Sequence, residues 1–290
     1  MTVRRFDAVL PHGITLSCRG AGDAGPRVLL LHGFPEAAFV WDDVMLALAD
    51  RTRCTAPNLR GYERSSAPAE VEAYRPKRLI ADVVALIEAT GGSLDLLVAH
   101  DWGGALAWGL AAQHPDLLRR LLIINAPHPA TFLRELRDDP DQQAASAYMN
   151  FLVRPDAEAL LEERGFARLW PFLDSPWRRI DDAERARYEA VWRRGLRGPL
   201  NYYRASPLRP PHDGDDAVRR IELPAESVTV RVPTTVLWAE DDAALRPGLL
   251  RGLEQWVPDL RVQRVAQASH WIVHEQPSTV VAAIDAALAR

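Results

Sequence analysis

Short apolar runs separated by helix-length amphipathic stretches recur along this chain, and that alternation constrains the fold more than any other feature. The runs 28–31, 54–57, 94–98, 121–124 and 234–238 have the length of buried strands, and 260–265 reads as a last strand. Between them lie patterns such as 78–89, which is helical in its spacing and ended by Gly91-Gly92. Strands alternating with helices form a mainly parallel sheet covered on both faces, so the expected class is α/β. Ahead of this core, 6–10 and 14–18 flank Pro11-His12-Gly13 and predict an antiparallel hairpin.

From 129 to 223 the alternation stops. Helical patterns at 156–165 and 182–194 follow one another there, with prolines at Pro207, Pro210 and Pro211. The second pattern opens on acids and ends on Arg193-Arg194 before Gly195, as a capped helix does. This predicts a helical cap (129–223) inserted into a core formed by 1–128 and 224–290. The arginine and acid runs of the insertion are expected to be solvated helix faces.

At 290 residues and 48% hydrophobic, the chain can bury one large core with an insertion. A net charge of −4 gives no electrostatic reason to expect nucleic acid or an anionic membrane as partner. MTVRRFDAVLPHG lacks an apolar signal core, and no run of about 18 apolar residues occurs elsewhere. Cys18 and Cys54 imply neither a disulfide framework nor a metal site. The expectation is a soluble cytoplasmic protein without cofactor.

One corner carries chemistry. In LLVAHDWGGALAW the run 94–98 turns into a helix from 105 onward through Ala99, His100, Asp101, Trp102 and Gly103. A nucleophile elbow has this form: one reactive side chain at a strained strand-helix turn, flanked by small residues because the backbone doubles back. A plain N-cap would not need small residues on both sides. The helix N-terminus favours an anion at that point.

An elbow needs an acid and a base, which follow the nucleophile along the chain. Asp242, with Asp241 as the lesser candidate, stands at the end of the run 234–238. His270 follows the last strand, with His274 four residues on. The run 29–31 leads into His32-Gly33, a turn that can aim the Phe34 N–H at the same point as the Trp102 N–H. Two converging donors make an oxyanion hole.

HGFPE (32–36), NLRGYERSS (58–66), HDWGG (100–104), NAPHP (125–129), NYYR (201–204) and ASHW (268–271) together resemble the α/β-hydrolase fold. More narrowly they resemble its soluble epoxide hydrolase branch, which is related to the haloalkane and fluoroacetate dehalogenases. A carboxylate nucleophile attacks saturated carbon and leaves an alkyl ester of the enzyme. Water activated by His270 then cleaves that ester.

The resemblance implies two cap tyrosines that protonate the epoxide oxygen, and Tyr148 and Tyr203 fall at their positions. Dehalogenases place an Asn after the HG turn, or arginines around the nucleophile. Here those positions hold Phe34, and Trp102 with Ala105. The expected substrate is a small apolar epoxide, with water as co-substrate. A dehalogenase using the same Asp-His-Asp triad is the alternative, and a non-catalytic binding protein on this fold is a second. The resemblance gives Asn58 and His128 structural parts, and Asn125 stands where some dehalogenases keep their acid.

Overall fold

The computed structural model describes residues 2–212 and 214–290. Its eight strands are β1 (Arg4–Val9), β2 (Thr15–Ala21), β3 (Arg27–Leu31), β4 (Arg53–Pro57), β5 (Leu96–His100), β6 (Leu121–Ile124), β7 (Thr234–Ala239) and β8 (Leu260–Val265). They form one sheet in the order β1-β2-β4-β3-β5-β6-β7-β8. The expected hairpin is β1–β2, with β2 also antiparallel to β4; every later pairing is parallel.

Helices α1 (Asp42–Leu48), α2 (Pro76–Ala89) and α3 (Trp102–Gln113) connect the strands up to β6. Between β6 and β7 come α4 (Pro129–Asp138), α5 (Pro140–Ala145), α6 (Tyr148–Leu152), α7 (Ala157–Phe166), α8 (Asp182–Trp192), α9 (Arg197–Ala205) and α10 (Ala225–Val228). α11 (Ile272–Glu275) and α12 (Pro277–Ala289) follow β8. Among the described residues no helix is long and apolar enough to cross a membrane.

The central strands read as continuous apolar runs because both of their faces are covered. Val28, Leu30, Leu96, Val98, Leu122 and Ile124 pack on the side of α1 and α12. Their neighbours Leu29, Leu31, Leu97, Ala99, Leu121 and Ile123 pack on the side of α2 and α3. The two-residue period of a strand thus divides one apolar string between two cores.

Local boundaries differ from the sequence expectation in instructive ways. β5 begins at Leu96, and Leu94 makes only an isolated bridge to Leu118. The helix expected from 105 begins at Trp102, directly after the corner. Gly103 and Gly104 are helical residues kept small by their surroundings. A Cβ on Gly103 would lie 2.7 Å from the Leu31 carbonyl carbon, and one on Gly104 2.2 Å from the Ala126 Cβ. The stretch 156–165 breaks in its last turn, where Arg164 and Gly165 take positive φ. α8 stops at Trp192, with Gly195 at φ +124 beyond it.

Candidate active site

Four parts of the site hang from the carboxyl ends of parallel strands, where an open α/β sheet leaves a crevice. β5 delivers Asp101, β3 the turn to Phe34, β7 Asp242, and β8 the loop with His270.

Asp101 has φ +51 and ψ −123, a conformation costly for a residue with a side chain and held here by its neighbours. The Ala105 N–H bonds the Asp101 carbonyl at 3.0 Å, and the Gly103 N–H bonds the His32 carbonyl at 3.0 Å. These bonds lock the elbow against the β3 turn. The Phe34 N–H donates to Asp101 Oδ1 at 2.6 Å. Trp102 opens α3, so its N–H is a first-turn donor without an intrahelical acceptor. Gly33 is small because Asp101 occupies the space beside it.

The imidazole of His270 lies between two carboxylates. Its Nδ1 donates to Asp242 Oδ2 at 2.6 Å, and its Nε2 faces Asp101 Oδ2 at 3.6 Å. Burial favours the neutral ring, but the charges and hydrogen bonds of Asp242 and Asp101 together lift its pKa well above 6.5. Burial likewise opposes charge on Asp242. The His270 charge and hydrogen bond, the Leu245 N–H and the Asn125 amide outweigh it and leave the carboxyl below its ordinary value.

Asp242 and Asp241 are now distinguished by position. The Asp242 side chain is fully buried, accepting also from the Ala244 and Leu245 N–H groups. Asp241 is exposed at the rim of the cavity. His274 points away from Asp101 and donates to Glu36 at 2.5 Å. Asn125 gives its amide N–H to Asp242 at 2.8 Å and accepts the Ala239 N–H at 2.8 Å. Sequence reasoning missed this support, although Asn125 directly follows β6, the strand next to β7, where such a contact is available.

Asn58 and His128 serve the scaffold. Asn58 accepts the Ala38 N–H and donates to the Ser17 carbonyl and to Glu63. His128 donates to the Val228 carbonyl and caps α4, and burial pushes its pKa down to about 4. In the NLRGY turn Arg60 grips buried Asp82 of α2 with two bonds, at 2.5 and 2.8 Å. That pair also holds loop structure.

Tyr148 on α6 and Tyr203 on α9 face Asp101 from the other side of the cavity. Their ring centroids lie 6.2 Å apart, and the Trp102 ring meets Tyr203 edge-on at 5.0 Å. Burial first holds both phenols well above their ordinary range; the Asp101 charge adds to this, and the Tyr148 phenol beside Tyr203 further opposes ionisation of the latter. Both therefore stay protonated donors through neutral pH.

Phe34, Asp101, Tyr148, Tyr203, Asp242 and His270 line one cavity of about 370 Å³. A second cavity of about 300 Å³ shares Asp101, Tyr148 and Tyr203 and runs on past Trp102, Phe132, Met149 and Leu208. All the residues expected to act together are thus gathered around Asp101. Such an arrangement can attack an electrophilic carbon, donate protons to a departing oxygen, and activate water beside the nucleophile.

Residues 26–277 match the family model described as alpha/beta hydrolase fold. The AB hydrolase superfamily protein YfhM of Bacillus subtilis is 33% identical over 93% of this chain and 92% of its own length. Epoxide hydrolase 3 of Xenopus tropicalis is 32% identical over 92% of this chain and 73% of its own. A solved structure of novel epoxide hydrolases from metagenomes of hot environments superposes with a TM-score of 0.87 at 38% identity, covering 99% of each chain. The chain belongs to the alpha/beta hydrolase fold family, in its epoxide hydrolase branch.

Proposed function

We propose that this protein hydrolyses an epoxide to a vicinal diol through an alkyl ester on Asp101. The observation that carries the reading is the placement of Asp101 opposite two protonated tyrosines, with His270 within 3.6 Å on its flank.

In the first step a carboxylate oxygen of Asp101 attacks a ring carbon. The carbon–oxygen bond of the ring breaks, and the departing alkoxide takes a proton from Tyr148 or Tyr203. Phenols suit this task because they donate hydrogen bonds while remaining neutral in the resting site.

Esterification removes the Asp101 charge, one of the two carboxylate charges that keep His270 protonated. The imidazolium then gives up its proton, which replaces the one lost by the tyrosine, and the neutral imidazole, oriented by Asp242, becomes the base for the second step. It takes a proton from water, whose oxygen attacks the ester carbonyl carbon. The Phe34 and Trp102 N–H groups receive the negative charge of the tetrahedral intermediate. Its collapse expels the diol alkoxide, which takes the proton of the carboxylic acid left behind, so that diol departs, the carboxylate is restored and His270, holding the proton from water, is again the imidazolium of the resting site. Epoxide and water are consumed in equal number, and no cofactor enters the balance. In this reading 129–223 is the cap that supplies the tyrosines, and the apolar second cavity takes the substituent of a small apolar epoxide.

The test is incubation of purified protein with styrene oxide and, separately, with fluoroacetate and a bromoalkane. Diol is expected. Free halide without diol from several epoxides would reverse the assignment in favour of dehalogenation.

A further inference from the structure

The loop that carries His270 is held from both sides. The His270 carbonyl accepts from His100 Nε2 at 2.9 Å. One residue earlier, Ser269 gives its N–H to Glu275 Oε2 at 2.7 Å and its hydroxyl to Oε1 at 2.5 Å. Glu275 is the last residue of α11, so its carboxylate closes the loop around the base.

The same carboxylate reaches outside the loop. Its Oε1 also accepts the hydroxyl of Ser175, from the segment inserted between β6 and β7. Asp174 and Pro176, on either side of Ser175, line the cavity that contains Asp101; Ser269 and Trp271 line it too. A parallel link lies nearby, where Tyr188 of α8 donates to Glu36 at 2.8 Å and His274 of α11 donates to the same oxygen. The inserted segment is therefore tied twice to the residues around the base.

We propose that Glu275 is a positioning residue which couples docking of the inserted segment, through Ser175, to the alignment of His270. The three donors Ser175, Ser269 N–H and Ser269 hydroxyl fix one orientation of the carboxylate, and that orientation fixes the backbone directly before the base. Without Ser175 the carboxylate loses the constraint on its outer side. His270 then samples positions out of line with the ester carbonyl. Only the second half of the reaction uses His270 as a base. The coupling therefore acts on ester hydrolysis and spares ester formation, and it rests on the two-step reaction proposed above.

The experiment is single turnover with enzyme in excess over styrene oxide, quenched at intervals and read by intact mass. Wild-type, Ser175→Ala and Glu275→Gln are compared, with thermal unfolding measured alongside. For Ser175→Ala, ester formation should be unchanged while its decay slows by roughly tenfold or more, as a sub-ångström misplacement of a base costs. Glu275→Gln should slow decay further in the same direction. If formation and decay fall together in Ser175→Ala, or decay keeps its wild-type rate whatever the change in melting temperature, the coupling is wrong. Absence of any ester in the wild-type protein would instead remove the underlying reaction, a result distinct from the first.

Discussion

A Cβ built on Gly33 would lie 2.0 Å from Oδ1 of Asp101, closer than any real contact allows. The glycine of HGFPE thus keeps open the space that the Asp101 carboxylate fills, from a turn 68 residues earlier in the chain. The φ of Gly33 is not in the left-handed region, so alanine is excluded by the carboxylate and not by the backbone. Gly33→Ala should therefore displace Asp101 and break its bond from the Phe34 N–H. Diol formation should drop by about 10²-fold, with the melting temperature little changed. Full activity in steady-state assays would contradict this packing argument.

The tyrosines give a second expectation. Tyr148→Phe and Tyr203→Phe each leave one phenol to protonate the alkoxide, whereas the double variant leaves none. The loss of a general acid costs about 10²- to 10⁴-fold, so the double variant should be far slower than either single one. Because the defect lies in ring opening, ester should not accumulate on Asp101. A double variant with wild-type turnover would take the tyrosines out of the reaction.

His270 predicts a difference between the two half-reactions in pH. In the resting site Asp242 and Asp101 raise its pKa, so the ring is protonated well above pH 6.5. As a base it must be neutral, and its pKa falls once Asp101 is esterified. The ester-decay rate should therefore rise with pH through the pKa that His270 has in the intermediate. Ester formation should not follow that profile. His270→Gln should form ester and fail to hydrolyse it, visible as a persistent mass adduct. A pH-independent decay rate across the neutral range would rule out His270 as the base.

Glu36 makes a stability prediction. It is fully buried, where burial opposes its charge, yet the charge and hydrogen bond of His274, with the His100 ring 3.6 Å from its other oxygen, hold its pKa well below the ordinary 4.5. A carboxylate with a depressed folded pKa contributes stability that is present above its unfolded value and lost as pH falls through the folded one. Glu36→Gln should cost about 3–5 kcal/mol at neutral pH, as breaking a buried charge pair does. The variant should also lose less stability than wild-type on acidification below pH 4.5. Denaturant unfolding at two pH values measures both, and equal acid sensitivity in the two proteins would refute the assignment.

What the sequence determined by itself is what depends on neighbours in the chain. The apolar run placed the strand at 121–124 because two-sided burial demands uninterrupted apolar residues, whereas β8 at 260–265, LRVQRV, is a mostly exposed edge strand with polar residues between its apolar ones. The elbow was legible at Asp101 because a strained turn needs small residues beside it. The order Asp101, Asp242, His270 followed from which strand ends carry acid and imidazole.

The tertiary structure alone decided which of two adjacent or near-adjacent groups faces the site. Asp241 and Asp242 differ by one residue, but only Asp242 turns inward at the end of β7 to meet His270. His274, four residues after His270, is drawn off by Glu36, a residue that no local pattern relates to it. The Asn125 bond to Asp242, the space beside Gly33 and the tie from Ser175 to Glu275 likewise join distant segments. Such contacts arise from the packing of sheet, helices and insertion against one another. Spacing along a chain fixes what a residue's neighbours are, whereas hydrogen-bond partners are chosen by distance and direction in the folded core.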